Sequence, residues 1–456
     1  MRTTLKSISR NTVLRMGALG GLFMIAFVRL AGLVADNAVD VPYGDQWDAL
    51  RYMFEDQGPI AGFYQQHGPH RLGLASIIDW YLYRMTGWDV RAESWMCVFV
   101  LGLSALVAIH LSFKLRGKLS WRDAVLPLLI LSPVSWETII LTPFLAHSIL
   151  PLLLVMLLVE AWIAPTPKVR FIMVGVLSGI ALFSGFGFSA AFASISLAIL
   201  LCLKPSAGVS SRWQLMVPLG IFSAFALWFA WGYHWDPAVP GWRFPVANWW
   251  DYPRFMSLMF TSLLGIRSLS VIPTVAGALL LMAALALWVR STARILKGIA
   301  NLRDIALWLL VSTSLFYAWF TAVGRLPVNI EAAFMWRYAP LMMPAVVGLH
   351  IAADEFFERV DYPRFAQIYA ALVLVVITMI WANFKPEQNA ATIGRAKRIW
   401  VETYLATNDM VAANAASNFA LNWFDPTSQQ VAARLDWLKA RQLSFFGTTD
   451  RDPSSP

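Results

Sequence analysis

The chain is short of charged residues and almost free of cysteine. Only 14% of its 456 residues are charged, whereas soluble globular domains carry about 25%. This shortage excludes a soluble enzyme, a disordered chain and a fibrous protein. The sequence also lacks the strict alternation of polar and apolar residues that is typical of outer-membrane strands. Both cysteines, Cys97 and Cys202, lie in apolar runs, so we expect buried free thiols rather than a disulfide framework.

Long apolar runs are what the sequence does have. A helix needs about 20 predominantly apolar residues to cross a bilayer core, and several runs meet or approach that length. They predict an all-α polytopic membrane protein. The clear runs cover residues 16–35, 93–113, 146–163, 214–233, 268–289, 304–323, 338–353 and 365–383.

Two further stretches are less regular. Residues 123–145 form an apolar run that is interrupted at Ser132-Pro133. Residues 171–203 would make a single helix of about 50 Å, which is too long for one crossing. The centre of that stretch, at 184–188, reads Ser-Gly-Phe-Gly-Phe, so we predict two short helices that meet there. With these stretches included, the sequence predicts about eleven transmembrane helices.

Positive charge follows the same map. The net charge is +9, and Lys and Arg are dense in the short segments on one side of the predicted membrane and sparse on the other. This pattern indicates a cytoplasmic N-terminus and an extracytoplasmic C-terminus. We therefore expect membrane lipids, but no nucleic acid, among the partners. The first run contains Arg29 and lacks a small-residue cleavage site, which favours a retained helix over a signal peptide.

The map divides the chain into a transmembrane module, residues 1–383, and an extracytoplasmic tail, residues 384–456. The tail is polar, and apolar residues recur at helical spacing in 391–406 and 428–441. We therefore expect a partly helical tail that becomes disordered from Thr448 onward.

The first extracytoplasmic loop, residues 36–92, carries the densest chemistry. Two amphipathic stretches within it, 46–57 and 72–86, are predicted to be helices that lie in the membrane interface rather than cross it. Between them, residues 67–71 read His-Gly-Pro-His-Arg, and the Gly-Pro pair predicts a turn.

Two carboxylates, Asp45 and Asp48, lie at the start of this loop. On a helix, a spacing of three residues places both on one face. Together with His67 and His70, they could act as a general base or bind a divalent cation, although two histidines alone do not complete a ligand set. Two plainer readings stay open: Asp45 could cap the helix, and Asp48 could lie on a solvated face.

Two guanidiniums flank the predicted outer loop 324–337. Arg325 follows Gly324 at the end of one apolar run, and Arg337 with Tyr338 begins the next. An Arg side chain can hold a phosphate through two parallel hydrogen bonds, so this pair is a candidate site for a lipid phosphate. The alternative is ordinary anchoring to lipid headgroups.

Further polar groups lie where a membrane makes them costly. Glu137, beside Trp136, could hydrogen-bond a sugar or could simply have reached the interface. His147 begins an apolar run, and there we expect an interface histidine rather than a ligand. The aromatic-rich loop 234–267 is expected to be an interfacial belt, with sugar stacking as the alternative.

A long outer loop directly after the first helix, with an acidic residue near its start and two interface helices, resembles the GT-C superfamily of integral-membrane glycosyltransferases. The pattern Gly-Asp-Gln-Trp-Asp at 44–48, followed by His-x-x-His-Arg at 67–71, resembles a large group of poorly characterised bacterial multi-spanning proteins near that superfamily. Members often have Asp-Glu where this chain has Asp-Gln, so Asp45 and Asp48 both stay candidates for the base. Further matches to that group are residues 132–137, Gly324-Arg325 and Arg337-Tyr338.

The resemblance implies a fold and a reaction. It implies a GT-C-like module in the bacterial inner membrane that moves a hexosyl or pentosyl group from a polyprenyl-phosphate donor to a cell-envelope glycan, lipid or protein acceptor on the extracytoplasmic face. The attack needs a carboxylate base, which would be Asp45 or, as second choice, Asp48. The resemblance fixes no cofactor and leaves a divalent cation open. Substrate binding would fall to His67, His70, Arg71, Glu137, Arg325, Arg337 and Tyr338.

Two other classes of protein compete with an enzyme. A transporter or flippase of lipid-linked sugars is expected to show internal repeats with paired broken helices, and no repeat is visible in the sequence. A non-enzymatic membrane scaffold would not need carboxylate, imidazole and guanidinium groups to converge. A structure therefore discriminates these classes through the distance between Asp45 and the two outer guanidiniums.

Overall fold

The computed structural model describes residues 10–206, 208–209, 211–235, 242–359 and 363–450. Within these ranges the regular structure is almost entirely helical. The α-helices are α1 (Arg10–Asn37), α2 (Gln46–Ala49), α3 (Arg51–Phe54), α4 (Pro59–Tyr64), α5 (Leu74–Thr86), α6 (Val90–Arg116), α7 (Val125–Ile130), α8 (Leu150–Trp162), α9 (Pro167–Leu182), α10 (Phe188–Leu203), α11 (Trp213–Ala230), α12 (Asp251–Ser262), α13 (Val271–Leu296), α14 (Leu302–Arg325), α15 (Met343–Arg359), α16 (Pro363–Ala382), α17 (Lys385–Thr407), α18 (Met410–Ser417) and α19 (Gln429–Ala440).

Shorter elements join these helices. Strands β1 (Gln66–His67) and β2 (His70–Arg71) pair antiparallel. One turn of π-helix, Leu145–Ile149, leads directly into α8. Short 3-10 helices cover Trp121–Ala124, Pro133–Thr138, Gly185–Gly187, Ile330–Phe334, Trp336–Met342 and Ser444–Asp450.

The all-α membrane fold class predicted from the apolar runs is confirmed at that level. Among the described residues, seven helices are long and apolar enough to cross a membrane: α1, α6, α8 with its π turn, α10 with the preceding 3-10 turn, α11, α13 and α14. In α8 and α14, 83% and 78% of the apolar window is buried, against 11% in α11. Helices α8 and α14 are therefore central, and α11 lies at the periphery.

The two irregular stretches have different outcomes. Residues 171–203 form two helices, α9 and α10, which meet at Gly185–Gly187 as predicted. The single helix expected over 123–145 is wrong, because only α7 and two 3-10 turns form there. Pro133 cannot donate a backbone hydrogen bond, and the Ser132 hydroxyl instead accepts the amide of Val134 at 3.3 Å, so the helix cannot continue.

The elements of the first loop and the tail follow the sequence prediction closely. The amphipathic stretch 72–86 forms α5, whereas 46–57 forms two short helices, α2 and α3, rather than one. The segment at 67–71 forms the turn of the β-hairpin. In the tail, 391–406 lies in α17 and 428–441 in α19. Of the predicted disordered end, residues 451–456 lie outside the described residues, and those before them belong to the last 3-10 helix.

The first loop and the tail share a hydrophobic core of their own, separate from the core between the apolar helices. Trp47 and Leu50 of the loop pack in one cluster with Trp400, Leu435 and Leu438 of the tail. The Arg434 guanidinium donates to the Trp47 carbonyl. A salt bridge between Arg29 of α1 and Glu387 of α17 joins the tail to the first helix. The tail therefore packs against the loop that contains the candidate base and stabilises it.

Candidate functional site

A tight turn after α1 sets the position of Asp45. Gly44 has a φ of +56°, a conformation that favours glycine, and its amide donates to the Leu421 carbonyl of the tail at 2.9 Å. Asp45 then stands at the N-terminus of α2, but its side chain makes no capping hydrogen bond. Its carboxylate instead accepts a hydrogen bond from Arg337 at 2.9 Å. The capping alternative is therefore not what the structure shows.

Gln46 and Glu93 lock this turn in place, and the sequence pattern did not identify either. Gln46 is almost fully buried, and its Nε2 donates to the Pro143 carbonyl at 2.7 Å and to Glu93 at 3.2 Å. The Glu93 carboxylate also accepts the amide of Leu145 at 3.1 Å and the hydroxyl of Tyr83 at 2.6 Å. This network joins the start of the loop to the π turn of the central helix α8.

The β-hairpin carries His67 to Asp48. The Nδ1 atom of His67 lies 2.7 Å from Asp48 Oδ2. The Asp48 side chain is 40% exposed, and Arg51 is 3.6 Å from its other oxygen. Asp48 thus lies at the edge of the site, where it orients an imidazole rather than only facing solvent.

His147 joins the site from the π turn. It is only 6% exposed, and its Nε2 lies 3.6 Å from Asp45 Oδ2. Its ring stacks on Phe186, with centroids 5.2 Å apart at 10°, and meets the edge of Phe144 at 4.3 Å. The interface histidine expected from the sequence is therefore a buried neighbour of the candidate base. Nothing in the sequence links two residues so far apart.

Arg337 is held from both of its ends. Its backbone amide donates to the Glu137 carboxylate at 3.0 Å, and its guanidinium donates to Asp45. The guanidinium Nε atom has no partner among the described residues. Glu137 thus positions the arginine that pairs with Asp45, which is a different contact from the sugar hydrogen bond considered from the sequence.

These groups line a polar cavity of about 150 Å³. Asp45, Glu137, His147 and Arg337 form one wall, and Trp423 of the tail contributes to another. Buried Lys397 of α17 donates to the carbonyls of Ile140 and Leu141, at 3.1 and 2.8 Å, and so fixes the segment behind the cavity. The tail therefore helps to build the site, which its composition did not reveal.

An apolar cavity of about 440 Å³ lies next to the polar one. Phe186 lines the apolar cavity and stacks on His147 of the polar cavity, while Tyr338 and Arg337 are consecutive in the chain. Arg325 lines this cavity, as does Tyr338, whose buried hydroxyl has no hydrogen-bond partner among the described residues. Other lining residues are His70, Phe188, Phe229, Trp235, Trp242, Tyr317 and Phe320.

Arg71 and His70 have separate surroundings although they are neighbours in sequence. Arg71 donates to the carbonyls of Tyr64, Phe229 and Trp231, so it fastens the hairpin to the end of α11 and lines neither cavity described above. His70 stacks on the ring of Phe188 at 5.4 Å, on the wall of the apolar cavity. The structure thus gives Arg71 a supporting position.

Charge in the site is set by these contacts. Burial opposes ionisation of Asp45, but the guanidinium of Arg337, together with His147 and His67, outweighs it and holds the pKa of Asp45 well below its usual range. Burial lowers the pKa of His70 to about 3, with help from His67 and Arg325. Burial also disfavours a charged His67, but its hydrogen bond to Asp48 raises the net pKa. At neutral pH, Asp45 is therefore a carboxylate and His70 a neutral imidazole.

No family model, curated protein or solved structure matches the chain. The chemistry is therefore argued from geometry. The site can hold an anion at its guanidiniums and accept a proton at Asp45. Asp45, His67 and His147 also offer three ligand atoms that all lie within 4.8 Å of one another, close enough to bind one metal ion.

Proposed function

We propose that the chain is a GT-C-type membrane glycosyltransferase that uses a polyprenyl-phosphate-linked hexose or pentose. The acceptor would be a cell-envelope glycan, lipid or protein. The proposal includes a site on the extracytoplasmic face of a bacterial inner membrane and a cytoplasmic N-terminus. The observation that carries it is the pair of adjoining cavities, one apolar with Arg325 in its lining, the other polar with the carboxylate of Asp45 in its lining.

The apolar cavity suits the donor. Its aromatic lining matches a prenyl chain, and Arg325 lines it together with Tyr338, whose buried hydroxyl has no hydrogen-bond partner among the described residues. A phosphate bound there would gain charge-assisted hydrogen bonds. Arg337, next in the chain to Tyr338, brings a second guanidinium toward the polar cavity.

The polar cavity suits the reaction itself. An acceptor oxygen attacks the anomeric carbon, the bond from that carbon to the phosphate oxygen breaks, and the lipid phosphate leaves with the electron pair. The acceptor proton passes to Asp45, with Asp48 as second choice. His67 is oriented by Asp48 beside this position, and Glu137 holds Arg337 through its backbone.

The salt bridge between Asp45 and Arg337 links donor binding to proton transfer. While Arg337 pairs with Asp45, the low pKa makes Asp45 a weak proton acceptor. A donor phosphate that draws Arg337 away from the carboxylate would raise the pKa of Asp45. The base would then gain strength only when a leaving group is bound, which limits reaction without a donor.

The test is sugar transfer by purified protein with polyprenyl-phosphate sugars and envelope acceptors. We expect Asp45→Asn to lower the rate by about 10² to 10⁴, the usual range for loss of a general base. The matched control is Asp56→Asn, an exposed carboxylate in the same loop that pairs with Arg441. Full activity in both Asp45→Asn and Asp48→Asn would overturn the assignment of the base. Movement of lipid-linked sugar between leaflets without a transferred product would favour the transporter.

A further inference from the structure

Asp45 and His147 line the polar cavity. Together with His67, which lies beside Asp48, they form a set that no step of the proposed reaction uses together. Asp45 comes from the turn after α1, His67 from strand β1 and His147 from the π turn before α8. Their potential ligand atoms lie within 4.8 Å of one another. We infer that Asp45, His67 and His147 bind a divalent transition-metal cation, with Zn²⁺ as the representative ion.

The separation of His147 and Asp45 supports a cation between them. His147 Nε2 and Asp45 Oδ2 are 3.6 Å apart, beyond ordinary hydrogen-bond length. Two ligands of a tetrahedral Zn²⁺ ion with bonds of about 2.0 Å lie about 3.3 Å apart. For this pair of atoms, a small closing movement would therefore give metal-ligand geometry.

His147 is also an unpaired buried imidazole. It is 6% exposed, its Nδ1 has no partner in the described part of the chain, and its Nε2 makes no hydrogen bond with Asp45 at that distance. Burying a polar group without a partner is costly. A cation bound at Nε2 would give the ring a partner on the side that faces Asp45. Phe186 and Phe144 already fix the ring plane.

Asp48 supplies the support that a metal-binding histidine usually has. An imidazole that donates from Nδ1 to a carboxylate keeps a lone pair on Nε2 and becomes a stronger donor to a metal. His67 Nδ1 is 2.7 Å from Asp48 Oδ2. Two imidazoles and one carboxylate favour Zn²⁺ and its neighbours over Mg²⁺ or Ca²⁺, and three protein ligands leave a fourth position for water or substrate.

Arg337 opposes a cation by charge, and this gives the inference a sharp test. Its guanidinium donates to the same Asp45 oxygen that faces His147. If the three residues bind a metal, Arg337→Gln removes a repulsive charge and should tighten binding. If the cluster is only an ion pair with adjacent histidines, the same substitution creates no metal site.

The experiment measures bound Zn²⁺ in full-length protein purified without a polyhistidine tag, treated with chelator and then reloaded. We expect one Zn²⁺ per chain, and a Co²⁺-loaded sample with the visible absorption of a tetrahedral site. His147→Phe, which keeps the ring stack, and Asp45→Asn should weaken Zn²⁺ binding at least 100-fold. Asp48→Asn should weaken it about 10- to 100-fold.

The matched control is His110→Gln. It removes a 60% exposed histidine that pairs with Glu160 and is not part of the cluster. It should bind Zn²⁺ like the original protein. Unchanged affinity in His147→Phe, or no Zn²⁺ bound in either the original protein or Arg337→Gln, would overturn the inference. Because the readout is metal content, the inference does not rest on the proposed function. If the protein binds Zn²⁺ but transfers no sugar, the metal site is supported and the proposed glycosyltransferase activity is contradicted.

Discussion

Two clusters among the described residues bring Arg, Asp and His together, and they differ in how completely their groups are paired. In the cluster of Arg116, Asp123, Asp354 and His350, both carboxylates have 0% side-chain exposure. Arg116 binds both of them, and His350 contacts Asp123 at 3.1 Å and Tyr369 at 2.7 Å. We call this the closed cluster.

The cluster of Asp45, His67, His147 and Arg337 is built from the same residue types, but three of its members, Asp45, His147 and Arg337, line a cavity. Its Arg337 Nε and His147 Nδ1 atoms lack partners in the described part of the chain. Buried polar groups are normally paired, and each exception calls for an explanation. We call this the open cluster. The comparison indicates that full pairing stabilises a helix junction, whereas unused donors and acceptors mark a place for a ligand.

The largest expected difference between the clusters is in stability. Asp354→Ala leaves Arg116, whose side chain is 2% exposed, without one of its two carboxylates, and we expect a loss of about 3–5 kcal/mol. Asp45→Ala leaves Arg337, which is 18% exposed beside a cavity where water can solvate it, and should cost less, about 1.5–3 kcal/mol. Thermal unfolding of both variants in one detergent checks this. Equal losses would remove the distinction between closed and open clusters.

Arg337→Met tests whether the open cluster binds the phosphate of the donor. Hydrogen bonds to charged groups contribute about 1.5–3 kcal/mol, so donor affinity should fall about 10- to 100-fold. Because Arg337 is what lowers the pKa of Asp45, the acidic limb of the activity profile should move to higher pH. Arg91→Met, which removes an exposed partner of Asp89, is the control. Unchanged donor binding and an unchanged profile would separate Arg337 from the phosphate.

A backbone test sharpens the comparison without touching charge. Gly185 has a φ of +53°, and a Cβ atom there would lie 2.1 Å from the Ala146 carbonyl, next to His147. Gly185→Ala should cost about 1–3 kcal/mol and displace the histidine, lowering activity beyond the loss of stability. Gly220→Ala in α11, where a Cβ meets nothing within 4 Å, should leave both unchanged or slightly improve stability. Normal activity in Gly185→Ala would show that the open cluster tolerates movement of His147.

The smallest effect concerns the contact between the loop and the tail. Burial, with the charge of Asp89, raises the pKa of Asp40 to about 7 from 3.8. The corresponding stability is fully present below about pH 4 and is lost as the pH rises through 7. Asp40→Asn keeps an acceptor for the Val90 amide and the Ser444 hydroxyl, so its unfolding midpoint should vary less between pH 5 and 8. The exposed Asp36→Asn is the control, and an equal pH dependence in all three proteins would contradict this assignment.

The sequence predicted features that depend on nearby residues. Apolar runs gave most of the helix positions, and the Gly-rich centre of 171–203 gave the break between α9 and α10. Within the first loop, the Gly-Pro pair in 67–71 gave the turn of the β-hairpin. Such features are set by periodicity and turn chemistry, which operate over a few residues.

Features that depend on tertiary packing were not predictable in this way. His147 reaches Asp45 only because Glu93 and Gln46 bind the same segment before α8. Trp423 lines the polar cavity because the tail packs on the first loop. The run 123–145 breaks at Pro133, although its composition resembles a span. Contacts between residues far apart in sequence leave no periodic signal in a single chain.

The shared core of the first loop and the tail also has a consequence for the order of assembly. The loop leaves the ribosome early, but Trp47 and Leu50 cannot be covered until Trp400 and Leu435 have been synthesised. The segment that contains Asp45 therefore stays incompletely packed for most of translation. Trp423 joins the lining of the polar cavity only when the tail has been synthesised. A chain interrupted before α17 could insert its apolar helices and still have no finished site, so membrane insertion and acquisition of the site are separate events in the life of the protein.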